Sequence, residues 1–234
     1  MKTLKIGHLY PKLLNIYGDI GNIITLKKRC EWRGIKVIVD DINIGDELSE
    51  HDLYFIGGGQ DTQQIEVAHE LQHHKAFLET ERDRGAVFLG ICGGYQLMGH
   101  YYQPHKGDKL PGISLLDAYT IAGDKRFIGN VTALTEFVTP NTLVGFENHS
   151  GLTYLEGETK PLGNIVIGNG NNGKDKTEGA RYKNVFGTYL HGSFLPKNPQ
   201  FADYLLELAL CENLVPLNND IENFAHESLI SKAY

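Results

Sequence analysis

The sequence predicts an α/β fold, with a mostly parallel, doubly wound sheet, helices on both faces and an antiparallel extension in the C-terminal half. Two observations carry this expectation. Short β-rich runs alternate with helical stretches through the first half, which is the pattern of βαβ units. Runs such as Leu53–Ile56 and 86–91 are continuously apolar, as strands are when helices cover both faces. The composition agrees: 234 residues, 41% hydrophobic and 22% charged, make an ordinary globular chain that buries enough core without disulfides or a structural metal. Residues 1–234 therefore read as a single domain.

In order, 4–10 reads as the first strand, 19–33 as an amphipathic helix, 36–43 and Leu53–Ile56 as strands, 61–83 as a helix capped by Asp61 or Thr62, and 86–91 as a strand. From about Tyr119 the texture shifts to shorter alternating strands at 128–134, 143–146, 165–167 and 185–190, separated by Asn- and Gly-rich turns. The run Gly168-Asn-Gly-Asn-Asn-Gly-Lys-Asp has a superficial likeness to a calcium loop, but it holds too few acidic ligands and reads as a hairpin turn. Segments 198–211 and 220–230 read as closing helices.

Charge and composition exclude several functions. Lys and Arg total 22 against 29 Asp and Glu, a formal charge of −7, and the basic residues are scattered, which disfavours nucleic acid as a partner. The first residues lack an apolar leader core, and no stretch approaches the roughly 20 apolar residues of a membrane span. The expectation is a cytoplasmic chain with no direct membrane insertion. Cys30, Cys92 and Cys211 form no CxxC pair, so neither a disulfide framework nor a zinc knuckle is expected. Cys30 and Cys211 sit on apolar helical runs and read as core.

Cys92 differs. An apolar strand stops abruptly at Gly90-Ile-Cys92-Gly-Gly94 and a helix-capable run follows, which places a thiol on a sharp strand-to-helix turn with small flanks. The N–H groups and dipole of that helix favour the thiolate. A thiolate nucleophile needs a base, and His191 in Phe186-Gly-Thr-Tyr-Leu-His-Gly ends a late strand. Acyl chemistry also needs an oxyanion site. Ile56-Gly-Gly-Gly-Gln-Asp61 supplies bare backbone after a strand, so that N–H groups of Gly58 and Gly93 are expected to converge. The Lys-Ser/Thr of a phosphate-binding loop is missing there, so nucleotide binding is not expected.

Gly90, Cys92, Gly94 and Gln96 match the G-x-C-x-G-x-Q nucleophile motif, and together with His191 and the triple-glycine turn the chain resembles the class I glutamine amidotransferases. The segments Val144-Gly-Phe-Glu-Asn-His149 and Gly187-Thr-Tyr-Leu-His-Gly192 are most similar to the cobyric-acid-synthase-like branch. The resemblance implies a flavodoxin-like glutaminase domain in which Cys92 and His191 are catalytic and L-glutamine is the substrate. It also implies that Arg126 holds the α-carboxylate, with Gly58, Gly93 and Gln96 around the substrate and no metal or cofactor. Amidating an acid requires activation and no ATP motif is visible, so the resemblance implies a heterodimer with an ATP-dependent, Mur-ligase-like (MurT-like) subunit, amidating D-glutamate of the peptidoglycan stem. The general His-x-Glu reads His191-Gly192-Ser193 here. Ser193 is not an acid, which leaves a Cys–His dyad or a carboxylate from the partner chain.

Three rivals remain at this stage. His69-Glu-Leu-Gln-His73 satisfies the H-E-x-x-H zinc-peptidase pattern. At 100° per residue, however, Ile65, Ala68, Leu71, Lys75 and Leu78 share one sector and the two histidines lie opposite, facing water. The others are a glutaminase serving another, cobyric-acid-type amidoligase, and a non-catalytic binding subunit. His149 reads as a structural histidine near the site.

Overall fold

The computed structural model describes residues 2–231, the side chains of Tyr17, Asp61 and Ser231 excepted. The first half runs β1 (Thr3–Leu9), α1 (Ile20–Glu31), β2 (Lys36–Ile42), β3 (Leu53–Ile56), α2 (Asp61–Arg84), β4 (Val87–Ile91) and α3 (Gly93–Met98). The second half runs β5 (Tyr101–Gln103), β6 (Leu110–Pro111), β7 (Ala118–Leu134), β8 (Thr142–Leu155), β9 (Gly163–Ile167), β10 (Thr177–Glu178), β11 (Ala180–Tyr182), β12 (Val185–Thr188), α4 (Pro199–Leu210) and α5 (Asp220–Ser231).

The first sheet has the order β11-β12-β4-β3-β1-β2, parallel except for the antiparallel edge strand β11. Its central strands are buried along their whole length, as their apolar runs require. The expected antiparallel extension is a separate six-stranded sheet, β10-β9-β7-β5-β6 with β8 on β7, antiparallel except where β5 pairs in parallel with β7. The runs expected as short strands at 128–134 and 143–146 belong to two long ones: β7 has 17 residues and β8 has 14. Polar residues do not end them, because an antiparallel sheet exposes one face to water. Their register shifts between Ala122 and Phe127, and that irregularity absorbs the charged Asp124-Lys-Arg126 run.

Three local expectations need correction. Cys211 is exposed rather than core, because it caps α4 in a left-handed conformation (φ 53°) one residue past the apolar stripe. Ile65 is 45% exposed; the buried stripe of α2 runs instead through Gln64, Val67, Ala68, Leu71 and Leu78. The residue capping α2 is Gln60, with no side-chain cap bond, in place of Thr62 or Asp61, whose side chain lies outside the described residues.

The helices on one face are fixed by charge. Arg29, buried on α1, donates from Nε and Nη2 to the two carboxylate oxygens of Asp203 on α4, both at 2.6 Å, and Arg33 grips the same carboxylate at 3.0 and 2.8 Å. Past His191, Asn198 is a second anchor: its Oδ1 accepts from Val144 N–H and its Nδ2 donates to Val144 O and Phe194 O, so β8 is held against that segment. Asp203→Ala strands two nearly buried guanidinium groups. The expected outcome is a loss of about 3–5 kcal/mol in urea unfolding, as for other broken buried pairs.

Candidate active site

The site forms where β4 and β12 end side by side. Thr188 pairs with Ile91, and Cys92 N–H then donates to Thr188 O at 2.8 Å, so the turn after β4 is tied to the strand end that leads to His191. Cys92 has φ 50° and ψ −103°, a backbone strain that the surrounding packing holds in place. Close approach explains the flanking glycine: a Cβ on Gly94 would collide with the carbonyl oxygen of Ile56 on β3. His191 lies beyond β12, where its N–H donates to Phe146 O at 2.8 Å, a bridge to the second sheet.

A cleft of about 330 Å³ opens over Cys92, which is 7% exposed. Its wall includes Gln96 from α3, Gly59 from the turn after β3, and Arg126, Asn148 and His149 from β7 and β8. Arg126 Nε donates to Asn148 Oδ1 at 2.6 Å, which orients the guanidinium at the rim. Cys92, Gln96 and Arg126, three of the expected residues, thus share one cavity. Gly58 and His191 adjoin it: a Cβ on Gly58 would stand 3.3 Å from His191 Cε1. Gly93 packs against the same turn, where a Cβ would lie 3.1 Å from Gly59 N.

One expected role changes. The Gly58 N–H does not face the cleft; it donates at 2.6 Å to Oδ2 of Asp19, a fully buried carboxyl at the head of α1. In the triple-glycine turn, Gly59 is the residue on the cleft wall, so its N–H is better placed than that of Gly58 to meet an oxyanion beside Gly93. Sequence reasoning missed Asp19 because an Asp before an apolar helical run reads as a helix start. Here it makes no cap bond.

Burial sets the protonation states. His191 is pushed down to about 3, chiefly by desolvation and then by His149, Lys197 and Arg126, so at neutral pH its ring is uncharged and able to take a proton. Desolvation likewise lowers His149 to about 4; its Nδ1 is 2.8 Å from Gly151 O, and its ring stacks on Tyr189 with centroids 3.6 Å apart. A hydroxyl chain backs this wall. Gln96 Nε2 donates to Tyr189 Oη, which meets Thr153 Oγ1 at 2.7 Å, and that meets Thr120 Oγ1 at 2.8 Å. Glu178 on β10 anchors the approach to His191, accepting from Thr188 Oγ1 at 2.6 Å and Tyr189 N–H at 2.9 Å. Ser193 Oγ donates to Gly18 O at 2.6 Å, and a Cβ on Gly21 would overlap that hydroxyl.

The zinc reading fails on placement. His69 and His73 are exposed on the outer face of α2, away from the cleft. Among the described residues, the grouping with metal-ligand reach is His100, Asp117 and Glu156, which does not include either histidine.

Residues 5–199 match the family model of the CobB/CobQ-like glutamine amidotransferase domain. The chain is 43% identical over its full length to the lipid II isoglutaminyl synthase (glutamine-hydrolyzing) subunit GatD of Staphylococcus aureus, covering 97% of that protein. It is 40% identical to the GatD subunit of Streptococcus pneumoniae, with 98% of this chain and 88% of that one aligned. A probable cobyric acid synthase of Methanococcus maripaludis is 28% identical over 85% of this chain, which spans 42% of that relative's length. Among solved structures, a glutamine amidotransferase superimposes with a TM-score of 0.60 at 16% identity, covering 87% of this chain and 98% of that one. The glutaminase domain of Trypanosoma brucei CTPS superimposes with 0.56 at 11% identity over 91% and 96%. At these identities the superpositions establish the fold.

Burial raises the Glu178 carboxyl to about 7. A group held above its unfolded value stabilises the native state at low pH, and that contribution is lost as pH rises through the range from about 4 to about 7. Asp19, also raised to about 7 by burial, acts in the same sense, whereas His149 and His191 act in the opposite sense on the acid side. Glu178→Gln keeps a carbonyl acceptor for Thr188 and Tyr189. Its melting temperature is expected to match the wild type near about pH 5 and to exceed it near about pH 8, measured by thermal unfolding across that range.

Proposed function

The chain belongs to the CobB/CobQ-like glutamine amidotransferase family, and on that basis we propose that it is the glutamine-hydrolysing subunit of a lipid II isoglutaminyl synthase. The observation that carries the chemistry is the pairing of β4 with β12, which sets the strained Cys92 turn beside the segment bearing His191 under a cleft of glutamine's size. In this reading Cys92 Sγ attacks the side-chain carbonyl carbon of L-glutamine, with its proton passing to His191. His191 returns that proton to the departing nitrogen, so ammonia leaves and a thioester remains. Water, deprotonated by His191, then cleaves the thioester to glutamate and the free thiol. The N–H groups of Gly59 and Gly93 support the oxyanion, and Arg126 receives the α-carboxylate at the rim.

The ammonia is used elsewhere. The sequence holds no phosphate-binding Lys-Ser/Thr motif, and a carboxylate must be activated before it accepts ammonia, so the acceptor chemistry belongs to an ATP-dependent, MurT-like ligase subunit in a heterodimer with this chain. The acceptor on this reading is the α-carboxyl of D-glutamate in the lipid II stem, as the names of the two full-length relatives support. We place the complex in the cytoplasm, where free glutamine and ATP are supplied. Among the described residues no helix is long and apolar enough to cross a membrane.

The test is glutamate release from L-glutamine by the chain co-purified with its ligase subunit. Cys92→Ala is expected to abolish release, and EDTA to leave it unchanged; release that persists without the Cys92 thiol overturns the reading. Arg126→Ala is expected to raise KM for glutamine about 10- to 100-fold, the equivalent of one charged hydrogen-bonded contact. Arg126→Lys is expected to restore only part of this, since a point charge lacks the guanidinium fork.

A further inference from the structure

The buried stripe of α2 begins with an amide. Gln64 is 3% exposed and stands in the first turn of the helix, ahead of Val67, Ala68 and Leu71. A buried carboxamide brings two N–H donors and an acceptor oxygen, all of which need partners. One need is met inside the site: Gln64 Nε2 donates to Gly59 O at 3.0 Å, which ties the helix to the triple-glycine turn. That bond also settles which end of the amide is which, because an oxygen turned toward the Gly59 carbonyl would be repelled by it. The other end is Oε1, which is buried with no hydrogen-bond partner among the described residues. An acceptor left bare in this way is destabilising unless something donates to it.

The surroundings of the amide identify the donor. Gln64 lines the same cleft as Cys92 and Gly59. Its amide also lies against the Cα of Gly93, where a Cβ would collide with the amide nitrogen. Gln64 thus stands between the two turns whose N–H groups, on the glutaminase reading, receive the substrate's carbonyl oxygen. The part of glutamine that reaches this point is its side-chain carboxamide, with the carbonyl oxygen on one side and NH2 on the other. We propose that Gln64 is a specificity-determining residue: its Oε1 accepts a hydrogen bond from the substrate's carboxamide NH2 and so selects glutamine against glutamate. The proposal rests on the glutaminase reading of Cys92. The γ-carboxylate of glutamate offers only acceptors at neutral pH, so it leaves Oε1 unpaired and adds repulsion. The same contact favours release of product. Once the thioester is cleaved, the donor has left with the ammonia and the new carboxylate faces a carbonyl oxygen.

Gln64→Met separates this role from a purely structural tie to Gly59, since it keeps the length of the side chain and removes the amide. The test compares L-glutamine with the γ-methyl ester of L-glutamate in the complex with the ligase subunit. From the ester Cys92 displaces methanol in place of ammonia, and the leaving group offers no N–H. In the variant, kcat/KM for glutamine is expected to fall about 10- to 100-fold, and the fall for the ester to be about tenfold smaller. An equal fall for both substrates assigns Gln64 to holding the turn alone and overturns the proposal, as does an unchanged kcat/KM for glutamine. A wild type that hydrolyses neither substrate removes the glutaminase reading instead, so the two failures are distinguishable. If the methionine variant does not fold, calorimetry on the complex carrying Cys92→Ala and the native Gln64 decides. The probe is the methyl ketone analogue of glutamine, in which CH3 replaces NH2. Glutamine binding tighter than the ketone by about tenfold or more supports the contact, and a smaller difference overturns it.

Discussion

The structure turns on the parallel pairing of β12 with β4. Parallel neighbours cannot be joined by a tight turn and need a long crossover. Here the crossover is residues 92–184, which contain the whole second sheet. The pairing thus does two things at once. It brings the Cys92 turn and the His191 segment to the same end of the first sheet, and it obliges the intervening chain to leave and return over that end. The cleft residues Arg126, Asn148 and His149 are carried back by the long hairpin of β7 and β8, while Cys92 and the segment bearing His191 stay at the ends of the parallel strands. This follows the general rule that ligands meet open α/β sheets at the carboxyl ends of their strands.

Burial, more than pairing of opposite charges, governs the electrostatics of this end of the molecule. Two histidines are held neutral and two carboxyls, Asp19 and Glu178, are held near neutrality's edge by desolvation as the leading cause. Hydrogen bonds then choose orientations among groups that carry little net charge. The row from Gln96 through Tyr189 and Thr153 to Thr120 fixes the ring on which His149 stacks, so an uncharged wall is held as rigidly as an ion pair would hold it. Stability and reactivity here share the same protonation equilibria.

Much of this was legible in the sequence, for identifiable reasons. The apolar strands and the glycine-flanked Cys92 turn are local signals, and the two halves of the first sheet's layout follow from them. His191 was singled out because a strand ending in His-Gly is also local. The long strands β7 and β8 were read as fragments, since their solvated face carries charge that breaks an apolar pattern without breaking a ladder. Cys211 was misread because a capping position differs from a core position by a single residue. Asp19 was invisible as a neighbour of the triple-glycine turn: the Gly58 N–H that it accepts from is far away in sequence, and only the folded chain brings the two together.

The contact between Gly21 and Ser193 leaves a mark on how this site can vary over time. With a methyl on residue 21 overlapping the serine hydroxyl, the segments 18–21 and 191–193 interlock like a key in a ward. A change toward a bulkier residue on either side demands a matching change on the other. The two segments therefore constrain each other, and a larger residue at 21 fits only a histidine turn that gives up the serine side chain.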